Sequence, residues 1–115
     1  MSRLNPSGRP AQGKAPAPVF AALGDRTRLA LVAELCRGQP RSISQLTAGS
    51  NLSRQAITKH LRVLERARIV RSFRAGRENH FTFDPKPVEE IRKYLDFVSA
   101  QWDQALSRLK TFVES

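Results

Sequence analysis

The first apolar pattern along the chain has the spacing of an amphipathic helix. Asp25 offers an N-cap for this helix, and a short apolar run over residues 19–23 precedes it. A glycine and a proline at positions 38 and 40 end the pattern. We therefore predict a helix with one core-facing stripe, on which a lone cysteine serves as a small hydrophobe. The stripe residues, at i, i+3, i+4 and i+7, are Leu29, Val32, Ala33 and Cys36.

Two short helices with a tight turn between them follow. Ser42 and Gln45 have capping-box spacing at the start of the first one, and Ser53 caps the second. The sequence Gly-Ser-Asn at positions 49–51 favours the turn. Two helices joined by a glycine-containing turn are typical of a helix-turn-helix. The second helix directs three residues at i, i+4 and i+7 towards the core, namely Ile57, Leu61 and Leu64.

The opposite face of that second helix carries groups that read base edges and phosphates in a DNA major groove. An ordinary solvated face is the alternative interpretation, but such a face usually mixes charges. Residues 53–77 hold eight basic residues and only one acidic residue, Glu65. This imbalance favours contact with DNA. The predicted contacts on the helix are Arg54, Gln55, Thr58, Lys59 and Arg62.

Alternating apolar residues after this helix predict a β-hairpin. Residues 69–73 form its first strand, and Phe81 and Phe83 lie in the second. Gly76 permits a tight turn between them, and Arg74 and Arg77 flank that turn. A basic hairpin directly after a helix-turn-helix is the wing of a winged helix. We expect it to lie along the DNA backbone or to place an arginine in the minor groove.

The C-terminal segment has an apolar seam at spacings of four and three, close to a coiled-coil register. A helix of about 25 residues is nearly 40 Å long, and a small winged helix can hardly cover that length. Packing on its own domain is therefore a weaker account than packing on a second copy of the chain. Phe20, near the N-terminus, is expected to contribute to this dimer interface. The seam residues are Ile91, Leu95, Val98, Trp102, Leu106, Leu109 and Val113.

The length and composition set the domain organisation. A chain of 115 residues is one domain, and its 40% hydrophobic content suffices for a core. We expect a disordered basic tail over residues 1–17, a winged helix-turn-helix over 18–84, and a dimerisation helix over 85–115 of the same compact domain. The predicted fold is mainly α with a small β-hairpin.

The charge and cysteine content narrow the partner and the compartment. Twenty basic residues against ten acidic ones give a net charge of +10, which favours a polyanion, either nucleic acid or an acidic membrane. No apolar run is long enough for a membrane helix, and no secretory signal is expected. A lone cysteine excludes a disulfide framework within the chain and a zinc site built from several thiolates. These features predict a cytoplasmic protein.

Four segments together resemble the ArsR family of bacterial winged-helix repressors, over about residues 18–113. Residues 23–29 resemble the family's opening "L-x-D-P-T-R-L", with Arg26 in place of the proline. Residues 52–64 resemble its recognition-helix signature "L-S-Q-x-x-[VI]-S-x-H-L-x-x-L". Residues 67–70 are similar to "A-G-L-V", with Arg68 in place of the glycine, and residues 76–83 are similar to the family's wing.

The resemblance implies a homodimer that binds an imperfect palindrome in double-stranded DNA and leaves it when an inducer binds. Carried over by position, it gives Arg54, Gln55, Thr58 and Lys59 on the second helix, the wing arginines Arg74 and Arg77, and His60 as a further candidate. His60 lies next to the inward-facing Leu61. It is therefore either a DNA contact or a partly packed residue that hydrogen-bonds within the protein.

The chain departs from the family at its metal sensor. Metal-sensing members carry paired cysteines, as "E-L-C-V-C-D-L", on the first helix of the helix-turn-helix. Here Ser42 and Ser44 occupy those positions, and hydroxyls are poor ligands for soft ions. A second family site needs histidine on the C-terminal helix, but none follows His80. We expect the protein to bind no metal and no cofactor. The resemblance does not identify the inducer.

Two other function classes compete with a DNA-binding repressor. A winged helix that only binds proteins has no need for the basic stretch over residues 53–77. An enzyme needs a phosphate loop, paired carboxylates or a metal motif, and the sequence has none of them. Ser53, His60 and Asp84 are of hydrolase types, but they lie at a helix cap, in a helix body and at a strand end. The prediction is a sequence-specific transcriptional regulator, not an enzyme.

Overall fold

The structure, a computed structural model, describes residues 16–114. Most of these residues are helical, and three short strands form one antiparallel sheet, which confirms the predicted fold class. Residues 1–15 of the predicted tail lie outside the described residues. The elements are α1 (Ala17–Leu23), α2 (Arg26–Leu35), β1 (Arg41–Ser42), α3 (Ile43–Ala48), α4 (Arg54–Arg66), β2 (Val70–Ala75), β3 (Glu78–Phe83) and α5 (Pro85–Glu114).

Side-chain caps start α2 and the two helices of the helix-turn-helix, α3 and α4. Asp25 accepts a hydrogen bond from the Arg28 backbone N–H at 3.0 Å at the start of α2. Ser42 and Gln45 form a complete capping box on α3, and Ser53 caps α4. Each cap satisfies a donor that the first helical turn leaves unpaired, and is worth about 1 kcal/mol. All three predicted caps are confirmed.

The core lies between the helices and the sheet. The strand order is β1–β3–β2, so β3 is central, and its Phe81 is 1% exposed. Strand β1 pairs with His80 and Phe81 and was not predicted. Two residues are too short to show the alternation that marks a strand. The core residues are Ala22, Leu31, Leu35, Ile43, Leu46, Ile57, Leu61, Leu64, Ile69, Val70 and Phe81.

The predicted core stripe of α2 is wrong except at Val32, which is partly buried and packs against the core. The structure buries Leu31 and Leu35, whereas Leu29, Ala33 and Cys36 are not buried. Two apolar stripes run along this helix, and residues two positions apart are turned about 200° from each other. The buried stripe is the one that contacts α4 and β3. Periodicity alone does not distinguish the two sides when both are apolar.

The C-terminal end of α4 holds a residue in a left-handed conformation. Arg68 has a φ of 66°, and it is the only residue other than glycine with a positive φ among residues 16–114. Its N–H bonds to the Glu65 carbonyl, and the Ile69 N–H bonds to the Leu64 carbonyl at 3.0 Å. These two bonds make a Schellman motif, in which glycine usually occupies the left-handed position. This conformation explains the glycine that the motif "A-G-L-V" has at this position. In this chain, the Cβ atom of Arg68 lies too close to the following carbonyl oxygen.

Arg68→Gly is expected to raise the free energy of unfolding by about 1 kcal/mol, because glycine adopts this conformation without the clash. Arg66→Gly is the matched control, since it removes the same charge from the last turn of α4. That change is expected to lower the free energy of unfolding by about 1 kcal/mol. Urea denaturation measures both. Destabilisation of the same size by the two changes would contradict the assignment.

Helix α5 extends away from the other described elements. It has 30 residues and is about 45 Å long. Among the described elements, only α1 makes substantial contact with it, including an edge-on contact between the rings of Phe20 and Tyr94. Ile91 is buried within the chain, whereas every side chain described beyond Val98 is exposed. Neither this helix nor any other within residues 16–114 is apolar enough over sufficient length to cross a membrane.

Candidate nucleic-acid interface

The orientation of α4 determines which of its side chains reach solvent. Ile57, Leu61 and Leu64 are each 0% exposed and hold one face of the helix against the core. The opposite face carries five of the predicted DNA contacts. Of these, Thr58 is partly buried, and the other four are exposed: Arg54, Gln55, Lys59 and Arg62.

Four of these predicted contacts line one open concavity of about 700 Å³ at the N-terminal end of α4. Within the part of the chain that the structure describes, Gln55 and Lys59 have no side-chain hydrogen-bond partner. Their amide and ammonium groups therefore remain available to a ligand. The lining residues are Ser53, Arg54, Gln55, Ala56, Thr58 and Lys59.

The hydroxyl of Thr58 is already committed as a donor. It donates to the Arg54 carbonyl oxygen at 2.8 Å, one turn back along α4. The oxygen lone pairs and the methyl group of Thr58 remain available to a ligand. A hydroxyl in this state can accept a hydrogen bond from an adenine or cytosine amino group, and the methyl can pack on a thymine methyl.

Arg62 is partly neutralised on the helix itself. Its guanidinium lies 3.3 Å from Glu65 Oε1, and Glu65 Oε2 accepts a hydrogen bond from the Ser72 hydroxyl at 2.6 Å. Glu65, the one acidic residue of the basic stretch, thus ties α4 to β2. Exposed pairs of this kind contribute little to stability, and the Arg62 charge remains accessible to phosphates.

Arg54 takes part in an interaction that links α4 to the wing. Its guanidinium donates to Ser44 Oγ at 3.1 Å and to Glu78 Oε1 at 3.3 Å. The Ser44 hydroxyl in turn donates to Glu78 at 2.7 Å. The hydrogen bond from Ser44 contributes most to lowering the pKa of Glu78 below its ordinary value, and Arg54 adds to the effect. The carboxylate therefore stays ionised at neutral pH.

His60 is partly buried and contacts the start of α2. The Arg28 guanidinium lies 3.1 Å from His60 Nδ1, and Arg28 also donates to the Ala22 carbonyl oxygen. Because guanidinium only donates, Nδ1 is the acceptor and the proton is assigned to Nε2. Asp25 lies 3.8 Å from the same nitrogen. The geometry favours the packed, hydrogen-bonding alternative for His60, and it adds Arg28, which the sequence reasoning missed, as its partner.

The wing is a hairpin with a two-residue turn. Ala75 pairs with Glu78 across the turn, and Gly76 has a φ of 66°. A glycine with positive φ at the first turn position is the pattern of a type II′ hairpin. Phe73 and His80 stack across the strands at 5.6 Å. Arg74 and Arg77 are exposed on the wing, with no ion pair to any described acidic residue.

The two serines that replace the family's paired cysteines do not fit a soft metal ion. Ser42 is buried and caps α3, and the Ser44 hydroxyl is bound to Glu78. Neither offers a thiolate, and both oxygens are already used. Within residues 16–114, no three His, Cys, Asp or Glu side chains gather in an arrangement that could hold a metal ion.

Comparison with known proteins agrees with this geometry. A sequence model described as a helix-turn-helix domain matches residues 23–72. The HTH-type transcriptional regulator Rv2034 of Mycobacterium tuberculosis is 32% identical over 102 residues, which cover 89% of this chain and 92% of Rv2034. The uncharacterized HTH-type transcriptional regulator YuzN of Bacillus subtilis is 36% identical over 81 residues, or 65% of this chain and 88% of YuzN.

The solved structures give the same result. An ArsR-like transcriptional regulator from Rhodococcus sp. RHA1 superposes with a TM-score of 0.72 at 36% identity. The match covers 84% of this chain and 91% of the Rhodococcus chain. The likeness therefore covers more of the chain than the helix-turn-helix segment over residues 23–72.

Proposed function

The chain belongs to the ArsR family of winged helix-turn-helix transcriptional regulators, and on this premise we propose that it is a homodimeric repressor of a palindromic operator. The observation that carries the proposal is the exposed face of α4. Gln55 and Lys59 lie unpartnered on that face, beside Arg54 and Thr58. An amide, an ammonium and a guanidinium at the start of one exposed helix match the chemistry of base edges and phosphates.

The wing supports the same proposal. Arg74 and Arg77 lie on a hairpin that follows α4 directly, so helix and hairpin can engage adjacent grooves of one duplex. A protein-interaction module is the alternative. Interfaces between proteins usually have an apolar, aromatic centre, whereas the exposed face of α4 carries charged and polar groups. The alternative therefore has no specific observation in its favour.

The dimer is proposed from the apolar surface of α5. Trp102, Leu106 and Leu109 are each more than half exposed, and Leu95 is 49% exposed. Among the described elements, only α1 makes substantial contact with this helix, and an exposed apolar surface of this kind is typical of an association site. We propose that α5 packs on the same helix of a second copy, with Phe20 and Val98 at the interface. Ile91 is already buried within the chain, so it secures the start of α5.

Selection from a random duplex library tests the proposal. The purified protein is expected to enrich an inverted repeat whose half-sites lie about one helical turn, or roughly 10 base pairs, apart. Its affinity for the selected duplex is expected to fall steeply with salt, because bound phosphates release counterions. Enrichment of no sequence, with no salt-dependent retention on duplex DNA, would support the interaction module instead.

The wing arginines give a separate prediction. Arg74→Ala and Arg77→Ala are each expected to weaken binding to every duplex and to lower the slope of log affinity against log salt by about one. Arg92→Ala is the control, since it removes the same charge from an exposed position on α5. Filter binding over a salt series measures the slopes. Slopes equal to that of the wild type would place the wing away from DNA.

A further inference from the structure

We propose that Glu78 is a specificity-determining residue that holds Arg54 against the wing, so that Arg54 serves base recognition in place of general attraction to phosphates. The inference rests on the proposed function, because it concerns how the same surface chooses among DNA sequences. A carboxylate beside a recognition helix is unexpected on a surface that binds a polyanion, and its hydrogen bonds explain why it is there.

Glu78 joins three segments of the chain at one oxygen. It is the first residue of β3, and its Oε1 accepts hydrogen bonds from the backbone N–H and the hydroxyl of Ser44 on α3. The same oxygen accepts from Arg54, the first residue of α4. Arg54 also donates to the Ser44 hydroxyl, so the three side chains form a closed triangle. The wing, the first helix of the motif and the recognition helix therefore meet there.

The triangle restricts the Arg54 side chain. A guanidinium has five N–H groups, and two of them contribute to the two bonds within the triangle. The others remain free on a side chain that is still 56% exposed. A freely rotating arginine loses conformational freedom when it binds a base, whereas one already held at two nitrogens loses less. Glu78 and Ser44 thus hold the Arg54 guanidinium in one orientation before it binds a base.

The charge of Glu78 affects nonspecific complexes with DNA, in which basic residues bind phosphates. Nonspecific binding depends on the number of phosphates that basic residues neutralise. Glu78 cancels the Arg54 charge, so it weakens those complexes in which Arg54 would otherwise bind phosphates alone. A complex in which Arg54 binds a base edge keeps its hydrogen bonds. The ratio of specific to nonspecific affinity therefore rises in the presence of Glu78.

Two variants remove the charge of Glu78. Glu78→Gln keeps an acceptor oxygen but removes the charge, and Glu78→Ala removes both. Each variant is expected to strengthen binding to a scrambled duplex and to raise its salt slope by up to about one. The ratio of affinities for the selected and scrambled duplexes is expected to fall about tenfold. Glu90→Gln, on the exposed side of α5, is the control for net charge, and its ratio should match that of the wild type.

The same measurement in an Arg54→Ala background tests whether Glu78 acts through Arg54. Without Arg54, Glu78→Gln is expected to leave the affinity ratio unchanged, because Glu78 affects the ratio only through its interaction with Arg54. A role limited to joining α3 and the wing would lower the ratio equally in both backgrounds. Thermal unfolding of every variant confirms that the comparison is made between folded proteins.

The outcomes distinguish this inference from the proposed function. If the wild-type protein selects no duplex, the DNA-binding proposal itself fails. If the wild type selects a duplex but Glu78→Gln has the same affinity ratio as Glu90→Gln, only the role of Glu78 is overturned. An equal decrease of the ratio with and without Arg54 also overturns it.

Discussion

Leu106→Asp is expected to convert the protein to a monomer and to lower its affinity for a two-half-site operator by about 10²- to 10⁴-fold. The leucine is 56% exposed in a single chain, in the part of α5 that packs on no other described element. A carboxylate there would be buried without a partner in a helix-to-helix interface, at a large desolvation cost. Once the two chains separate, the second half-site no longer benefits from a high effective concentration.

Gln104→Asp is the matched control for this change. It introduces the same charge two residues away, on a different side of α5, where the side chain is also exposed. Sedimentation equilibrium at micromolar concentration is expected to show a dimer for the wild type and for Gln104→Asp. Trp102→Ala is expected to weaken the dimer by about 2 kcal/mol or more, as truncation of large aromatic anchors does. A monomeric wild type would overturn both the dimer and the palindromic operator.

A single half-site duplex shows whether the variant is still folded. The monomer is expected to bind one half-site as tightly as a wild-type subunit does, because residues 54–62 are unchanged. Loss of half-site binding would mean that α5 is needed to keep the winged helix folded, since its start is attached through Ile91 and α1. The two measurements together separate assembly from folding.

Features that depend on neighbours in sequence were predictable. The caps at Asp25, Ser42 and Ser53 each involve a bond over three residues, so a local pattern contains the whole interaction. The orientation of α4 was predictable for the same reason. Ile57, Leu61 and Leu64 recur at i, i+4 and i+7, and all three are buried. Val63 is the one other large apolar residue of α4.

Features that depend on distant pairing were not predictable. The hydrogen bond between Ser44 and Glu78 spans 34 residues, and that between Arg28 and His60 spans 32. No pattern within one helix or strand contains such a pair. The prediction for α2 failed for a related reason, because the buried side of that helix is chosen by what α4 and β3 bring to it. The resemblance to the ArsR family gave the position of His60 but not its partner.

Replacing both Gln55 and Thr58 by alanine is expected to weaken specific binding by roughly 1–3 kcal/mol for each base that the helix no longer reads. Binding to a scrambled duplex should barely change, because neither side chain is charged and nonspecific binding comes from phosphates. The geometry of both residues is compatible with base readout. Gln55 has no side-chain partner among the described residues, and the hydroxyl of Thr58 is fixed by its bond to the Arg54 carbonyl.

Lys59→Ala provides the contrast, since it removes a charge from the same concavity. It is expected to weaken binding to the selected and scrambled duplexes alike. Thr58→Ser further separates the two groups of that side chain, because it keeps the hydroxyl and removes the methyl. If Thr58 packs on a thymine methyl, replacing that thymine by uracil should weaken binding by the wild type but not by Thr58→Ser. Equal decreases in affinity for selected and scrambled duplexes in the Gln55 and Thr58 double variant would mean that α4 does not read bases through these residues.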